Sequence, residues 1–197
     1  MTPRHAHALA RVALFALLLA PALASAQARG RVVSAGGGAL GPAVDTVGVG
    51  VLAGLDIPPS GRDVGPRFTG ELMFGVSDMT PQLRADLGAR LSFAYHNANF
   101  GSEWLLDVVP DLRLALSATP RLAVYADLGI GLAVIRSNFD VFGVSTTDTV
   151  AAFQFGLPGV SYALSPTLNL LAEIRFNIYT GGHGTFIALP TLGFQWH

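Results

Sequence analysis

The sequence predicts an all-β fold: a single eight-stranded, antiparallel, up-and-down barrel that crosses a membrane, behind a cleaved signal peptide. The stretch Leu83–Tyr95 alternates with a period of two, its odd positions all apolar and its even positions holding Arg84, Asp86, Arg90 or small residues. Charged residues make up only 13% of the 197 residues, against about 25% in soluble domains. No run of about 18 or more apolar residues follows the N-terminus, so strands rather than a helix would cross the bilayer.

Residues 1–26 are typical of a secretory signal peptide. Arg4 and Arg11 supply positive charge, Val12–Ala20 is a short apolar run, and a small-x-small cleavage site follows. An uncleaved anchor helix is the alternative, which the short apolar run and the well-formed cleavage site disfavour. The residues of the predicted cleavage site are Ala24, Ala26 and Gln27.

The remaining chain divides into a flexible, Gly- and Ala-rich lead-in at 27–46 and the barrel at 47–197. Removal of Arg4 and Arg11 makes the net charge, −1 for the whole chain, more negative, which argues against a nucleic-acid partner. Cysteine is absent, which excludes disulfides, thiolate metal sites and cysteine nucleophiles.

Alternation of apolar residues with small or charged ones marks each predicted strand, and clusters of Pro, Gly and polar residues mark the connections. The sixth strand is the least regular of the eight. The longest predicted loops are 57–66, 96–103 and 137–148. The predicted strands are Val47–Leu55, Phe68–Val76, Leu83–Tyr95, Trp104–Leu116, Leu122–Ile135, Val150–Tyr162, Leu168–Tyr179 and Phe186–Trp196.

Three of the connections share an x-[Ser/Thr]-Pro-x-Leu pattern, centred on Thr80-Pro81, Thr119-Pro120 and Ser165-Pro166. Pro sets φ at a turn position, and the hydroxyl can accept a hydrogen bond from a nearby backbone N–H. These turns are short and alternate with connections that are mostly longer, a pattern that is typical of membrane barrels.

The composition of the second face indicates which side is inside. A soluble barrel buries its apolar face and exposes its polar face to water, and that polar face would be rich in Lys, Glu and Thr. Here the non-apolar face is mainly Gly, Ala and Ser with a few charges. Small residues suit the narrow interior of an eight-stranded barrel. We therefore expect the apolar face to meet lipid and the charged face to line the lumen.

Charges inside such a lumen must pair, because unpaired buried charges are very costly. Simple hairpin registers place Asp86 opposite Arg113 and Arg90 diagonal to Asp107 and Asp111. The network is predicted to fill the lumen and block any wide pore, and a proton or ion path along the same charges is the functional alternative. The predicted network comprises Arg84, Asp86, Arg90, Asp107, Asp111, Arg113, Asp127, Glu173 and Arg175.

Aromatic residues on the apolar face lie near the predicted strand ends, where girdles flank the apolar band of a membrane barrel. On the side of the long loops these are Phe68, Phe93, Tyr95, Trp104 and Phe186. On the side of the short turns they are Phe74, Phe194 and Trp196.

The hairpins SDMTPQLRADLGARLSF and YALSPTLNLLAEIRF and the final strand TLGFQWH resemble those of small eight-stranded outer-membrane β-barrel proteins of Gram-negative bacteria, the OmpA-transmembrane-domain-like and OmpX-like group. The resemblance implies a location in the outer membrane, contact with its lipid and lipopolysaccharide, and a monomeric state. Members of the group usually end in an aromatic residue that the barrel-assembly machinery reads; here Phe194 and Trp196 keep the alternation, but His197 is the last residue.

Some barrels of this size act on lipid A, but the sequence offers no catalytic set, metal cluster or cofactor motif. His96 and His183 fall in predicted loops without a His-x-Ser spacing, so we interpret them as solvated loop residues. The leading hypothesis is a non-enzymatic barrel that anchors, seals or presents loops. A narrow channel and a lipid-modifying enzyme are the alternatives. Pro110, Pro158 and Pro190 interrupt predicted strands, and we expect β-bulges there.

Overall fold

Eight antiparallel strands form one closed ring in the computed structural model, which describes residues 46–59, 62–98, 101–139 and 143–197. The predicted fold class is confirmed. The signal peptide with its cleavage site, and residues 27–45 of the lead-in, lie outside the described residues. In the described ranges, no helix has the length and apolarity to span a membrane. The strands are β1 (Val47–Ile57), β2 (Gly65–Asp78), β3 (Leu83–Ala98), β4 (Gly101–Thr119), β5 (Leu122–Phe139), β6 (Val144–Ser165), β7 (Leu168–Tyr179) and β8 (Gly184–Trp196).

Each strand pairs with its neighbours in sequence, and pairing of β1 with β8 closes the ring. Val49 lies opposite Trp196 and Ile57 opposite Ile187 along this last seam. A sheet in hydrocarbon needs this closure, because an open edge would leave backbone N–H and C=O groups without partners.

The two faces of the wall differ as the alternation predicts. Leu128, Ile130 and Leu132 on the outer face are 60–62% exposed, whereas Asp127 on the inner face of the same strand is 3% exposed. Apolar side chains thus face outwards and charged ones inwards, the reverse of a soluble barrel.

Two predicted loops are largely strand. β3 continues to Ala98 and β4 begins at Gly101, so most of 96–103 is paired; β5 and β6 likewise extend through most of 137–148, to Phe139 and from Val144. The sequence predicts loops there because the outward-facing positions are no longer apolar. The backbone hydrogen bonds between the strands nevertheless continue beyond the last apolar residue. The connections opposite the Ser/Thr-Pro turns define what we call the loop side of the barrel.

The three Ser/Thr-Pro turns use their hydroxyls as predicted. Thr80 Oγ1 accepts a hydrogen bond from the Leu83 N–H at 3.0 Å, Thr119 Oγ1 from the Arg121 N–H at 3.3 Å, and Ser165 Oγ from the Thr167 N–H at 3.2 Å. These bonds satisfy backbone donors where the chain reverses and define the turn side of the barrel.

Bulges accompany two of the three strand prolines. The ladders on both sides of β6 gain one residue beside Pro158, and those on both sides of β8 gain one beside Pro190. Pro110 instead lies opposite Ala89 in a ladder without a register shift, so the prediction of a bulge there is wrong. The extra residue in β8 reverses the alternation, so that Ala188 faces inwards while Leu192 faces outwards.

Close packing in the lumen makes Gly159 sensitive to substitution. A Cβ added at Gly159 would lie 2.1 Å from a ring carbon of Tyr125, whereas a Cβ at the outward-facing Gly70 meets nothing within 4 Å. We expect Gly159→Ala to destabilise the barrel by about 1–3 kcal/mol through overpacking, and Gly70→Ala to be neutral or slightly stabilising. Urea unfolding in lipid vesicles measures both, and equal midpoints would contradict a packed lumen.

Candidate functional site

The inner wall carries a belt of ion pairs at mid-height, which we call the central layer. Arg90 on β3 lies at its centre and forms ion pairs with carboxylates on four other strands, β2, β4, β5 and β7. Because the strands of a closed barrel face each other across a narrow lumen, side chains far apart in sequence meet here. The central layer consists of Glu71, Arg90, Asp111, Arg113, Asp127, Glu173 and Arg175.

Arg90 donates charge-assisted hydrogen bonds to Asp127 and Glu173 and forms ion pairs with Glu71 and Asp111. Its Nη2 lies 2.6 Å from Asp127 Oδ2 and 3.0 Å from Glu71 Oε2, and its Nη1 lies 3.0 Å from Glu173 Oε1. Its Nε lies 2.9 Å from Asp111 Oδ2. One guanidinium therefore connects four strands through their carboxylates.

Arg113 and Arg175 complete the layer. Arg113 donates to Asp127 and Glu71, each at 2.9 Å, and its guanidinium lies 4.2 Å from the centre of the Tyr125 ring. Arg175 donates to Asp127 at 2.9 Å and to Glu173 at 3.0 Å. Tyr125 in turn donates to Glu173 at 3.1 Å, so the ion pairs and the aromatic ring form one network.

A second cluster lies nearer the loop side. Arg67 contacts Asp56 at 3.2 Å and also donates to Asp107 and to the Tyr179 hydroxyl. Gln154 donates to the other oxygen of Asp107 at 2.9 Å. His96 contributes from β3, with Nε2 3.1 Å from Asp56 Oδ2 and Nδ1 3.2 Å from the Asp63 carbonyl oxygen. We call these residues the loop-side cluster.

The side chains of the two groups are shielded from solvent inside the lumen. The side chains of Arg90, Asp127, Glu173 and Asp111 are at most 1% exposed, and Arg67 is equally buried. Side chains that lined a water-filled pore would be exposed to solvent. The arrangement therefore holds charges fixed and mutually paired inside a closed wall.

The structure places all nine residues of the predicted network on the inner face, but it does not join them in every predicted way. Asp86 lies opposite Arg113, yet neither Asp86 oxygen has a hydrogen-bond partner within the described ranges. Asp107 contacts Arg67 rather than Arg90. Arg84 pairs with Asp78 of the neighbouring strand at 2.6 Å.

The predicted network left out Asp56, Arg67, His96 and Glu103, which are buried on the inner face, and Glu71, which the alternation of the predicted second strand does turn inwards. Arg67 and Glu71 share the alternation of β2, opposite in parity to Phe68. Asp56 continues the inward parity of Leu52 past the predicted end of β1. Extending the alternation by one residue beyond the predicted ends of these strands would have placed Asp56 and Arg67 on the inner face.

Most predicted girdle aromatics face outwards. On the loop side, Phe68 lies opposite Phe93 and Tyr95 opposite Trp104. On the turn side, Phe74, Phe194 and Trp196 are each more than 40% exposed.

Phe186 is the exception, since the prediction that it faces lipid is wrong. Its side chain is fully buried in the lumen, 5.2 Å from the Tyr179 ring and 5.5 Å from the His96 ring. The bulge beside Pro190 turns this end of β8 by one residue and places Phe186 inside.

The interpretation of His96 as a solvated loop residue is also wrong, because it is buried within β3. His183 lies in the β7–β8 connection and contacts Asp148 at 3.3 Å. At the turn side, burial lowers the pKa of His197 to about 4, with a contribution from the nearby Arg84 guanidinium.

Comparisons with known proteins agree with this geometry. A family model for the outer membrane protein beta-barrel domain matches residues 11–190. Neisserial surface protein A is similar in fold, with a TM-score of 0.56, 13% identity, and coverage of 76% of this chain and 94% of that one. The outer membrane enzyme PagL has a TM-score of 0.50 and 12% identity, with 75% and 99% covered. No curated protein sequence matches the chain.

The shared role of Arg90 leads to a stability prediction. Arg90→Met would leave four carboxylates buried without their common cation, and we expect a loss of about 3–5 kcal/mol, as when one partner of a buried pair is removed. Unfolding in lipid vesicles, followed by tryptophan fluorescence, measures the change.

Arg121→Met is the matched control, because Arg121 is exposed in the β4–β5 turn; its effect should stay within about 0.5 kcal/mol. Similar losses in the two variants would contradict a stabilising role for the central layer.

Proposed function

The chain belongs to the outer membrane protein beta-barrel domain family, and from that premise we propose that it is a sealed, non-enzymatic barrel that anchors and presents its loop-side surface. Its location is the cell outer membrane. The observation that carries the proposal is the central layer, whose buried ion pairs cross the lumen from β2, β3, β4, β5 and β7.

Sealing follows from the energetics of the layer. Opening a path through it would separate guanidinium and carboxylate groups that are held at 2.6–3.0 Å in a buried environment. Hydrogen bonds between charged groups are stronger than neutral ones, and several would have to break together. The loop-side cluster adds a second barrier in series.

The length of β5 and β6 supports the proposal that the barrel presents its loop-side surface to other molecules. Val144–Thr149 are all exposed and pair with β5, whereas the pairing of β6 with β7 begins only at Ala152 and Tyr179. The β5–β6 ribbon therefore continues past its neighbour β7, where the wall no longer surrounds a lumen. A hydrogen-bonded, exposed ribbon of this kind suits contact with molecules outside the membrane.

The non-enzymatic part of the proposal is supported by the contacts of the histidines. His96 contacts a carboxylate and a backbone carbonyl, and His183 contacts a carboxylate. Incubation with lipopolysaccharide followed by mass spectrometry tests this directly. We expect unchanged lipid A masses, and loss of an acyl chain would favour the enzyme alternative.

Planar-bilayer recording tests the seal. The wild-type barrel should show no discrete openings, because the central layer closes the lumen. The double variant Arg90→Ser with Arg175→Ser removes two of its three guanidiniums and should produce openings, provided that a heat-modifiability gel shows it folded.

Discrete wild-type openings that disappear in Asp86→Asn or Arg113→Met would favour the narrow-channel alternative and contradict the seal. A folded double variant that stays silent would contradict the assignment of the seal to the central layer.

A further inference from the structure

The outer wall carries one basic side chain where its apolar band ends on the loop side. The outward positions of β5 run through Leu128, Ile130, Leu132 and Val134, and the next outward residue is Arg136. An arginine on the lipid-facing surface costs about 2–4 kcal/mol at the bilayer midplane but only about 0–1 near the interface. The position of Arg136 therefore corresponds to the headgroup region.

The neighbours of Arg136 are hydrogen-bond donors. Trp104 on β4 and Thr147 on β6 lie directly opposite it in the two flanking ladders, and its Nη2 lies 3.5 Å from Ser145 Oγ. An indole N–H and a guanidinium can only donate, and the two hydroxyls can donate as well. Four adjacent side chains thus offer donors to one ligand on the outer surface.

The described carboxylates next to the two ladder partners of Arg136 are engaged elsewhere. Asp148 follows Thr147 and contacts His183. Glu103 precedes Trp104, is buried, and contacts Arg62 at 3.1 Å and the Ser137 hydroxyl at 2.9 Å. Within the described ranges, no carboxylate forms an ion pair with Arg136, so the donors are left for an external anion.

We propose that this donor patch, formed by Trp104, Arg136, Ser145 and Thr147, binds the phosphate of a lipid headgroup. The planar guanidinium matches the geometry of a phosphate and can donate two hydrogen bonds to it. Trp104, opposite Tyr95 in the loop-side girdle, places its ring at the depth where aromatic residues meet headgroups. The inference requires only that the wall spans the membrane, and it holds whether or not the lumen is sealed.

Native mass spectrometry of the folded barrel, released from neutral detergent micelles, tests the patch. The probes are lipid A, phosphatidylglycerol, a phosphate-free galactolipid and inorganic phosphate as competitor. We expect retention of phosphate-bearing lipid, with an affinity about tenfold lower in Arg136→Gln, as expected for one charge-assisted contact. Arg121→Gln makes the same change of charge on the turn side and should bind like wild type.

The probes also separate the possible sources of the phosphate. Retention of lipid A alone would identify its phosphate as the ligand, whereas retention of both phosphate-bearing lipids with competition by inorganic phosphate would identify phosphate in general. Each result supports the patch. Equal retention of the galactolipid, unchanged binding by Arg136→Gln, or an equal loss in Arg121→Gln would overturn it.

A second variant covers the case in which Arg136→Gln does not fold. Ser145→Ala combined with Thr147→Val alters two exposed side chains and removes two hydroxyl donors while the guanidinium stays. We expect its affinity for the phosphate-bearing lipid to fall about two- to fivefold. Unchanged affinity in this variant, with a heat-modifiability gel showing a folded barrel, would also contradict the patch. The planar-bilayer result of each variant remains independent of this outcome.

Discussion

The hydrogen-bonded seam between β1 and β8 is the constraint on which the rest of the structure depends. Hydrocarbon offers no partner to a free backbone N–H or C=O, so a sheet survives in it only when the first and last strands pair. Val49 opposite Trp196 and Ile57 opposite Ile187 mark this seam. Once the sheet is closed with eight strands, its strand number and stagger set its diameter, and each strand must turn alternate side chains to the lumen and to the lipid.

The charged interior is a consequence of that diameter. An eight-stranded barrel leaves room for side chains but little room for bulk water, so the charges inside are compensated by other side chains, most of them on other strands. Arg90 shows the result, because its guanidinium contacts carboxylates from four strands. The same contacts that compensate burial of the charge also cross the lumen, so the stability of the barrel and the proposed seal depend on the same side chains. The outer wall shows the complementary case, since Arg136 lies where headgroups rather than protein carboxylates can compensate its charge.

Alternation in the sequence was enough to predict the number of strands, the two faces and the inward direction of residues such as Asp127 and Glu173. It failed where a local backbone irregularity changed the parity, as at Phe186, because an inserted bulge residue leaves no mark on composition. It also failed at His96, where the strand continued beyond the apolar band and the polar side chains were interpreted as a loop. The partners of each charge could not be predicted beyond neighbouring strands, since contacts across the lumen depend on the stagger of the whole ring.

Site-directed spin labelling in lipid bilayers tests the central claim, that the apolar face meets lipid, most directly. Single-cysteine variants at Leu128, Ile130 and Leu132 would carry the label, and the chain has no other cysteine. We expect strong relaxation by lipid-soluble oxygen and little by a water-soluble nickel chelate, with Asp78→Cys on the turn side showing the reverse. Nickel accessibility at the three β5 positions equal to that at residue 78 would contradict the account.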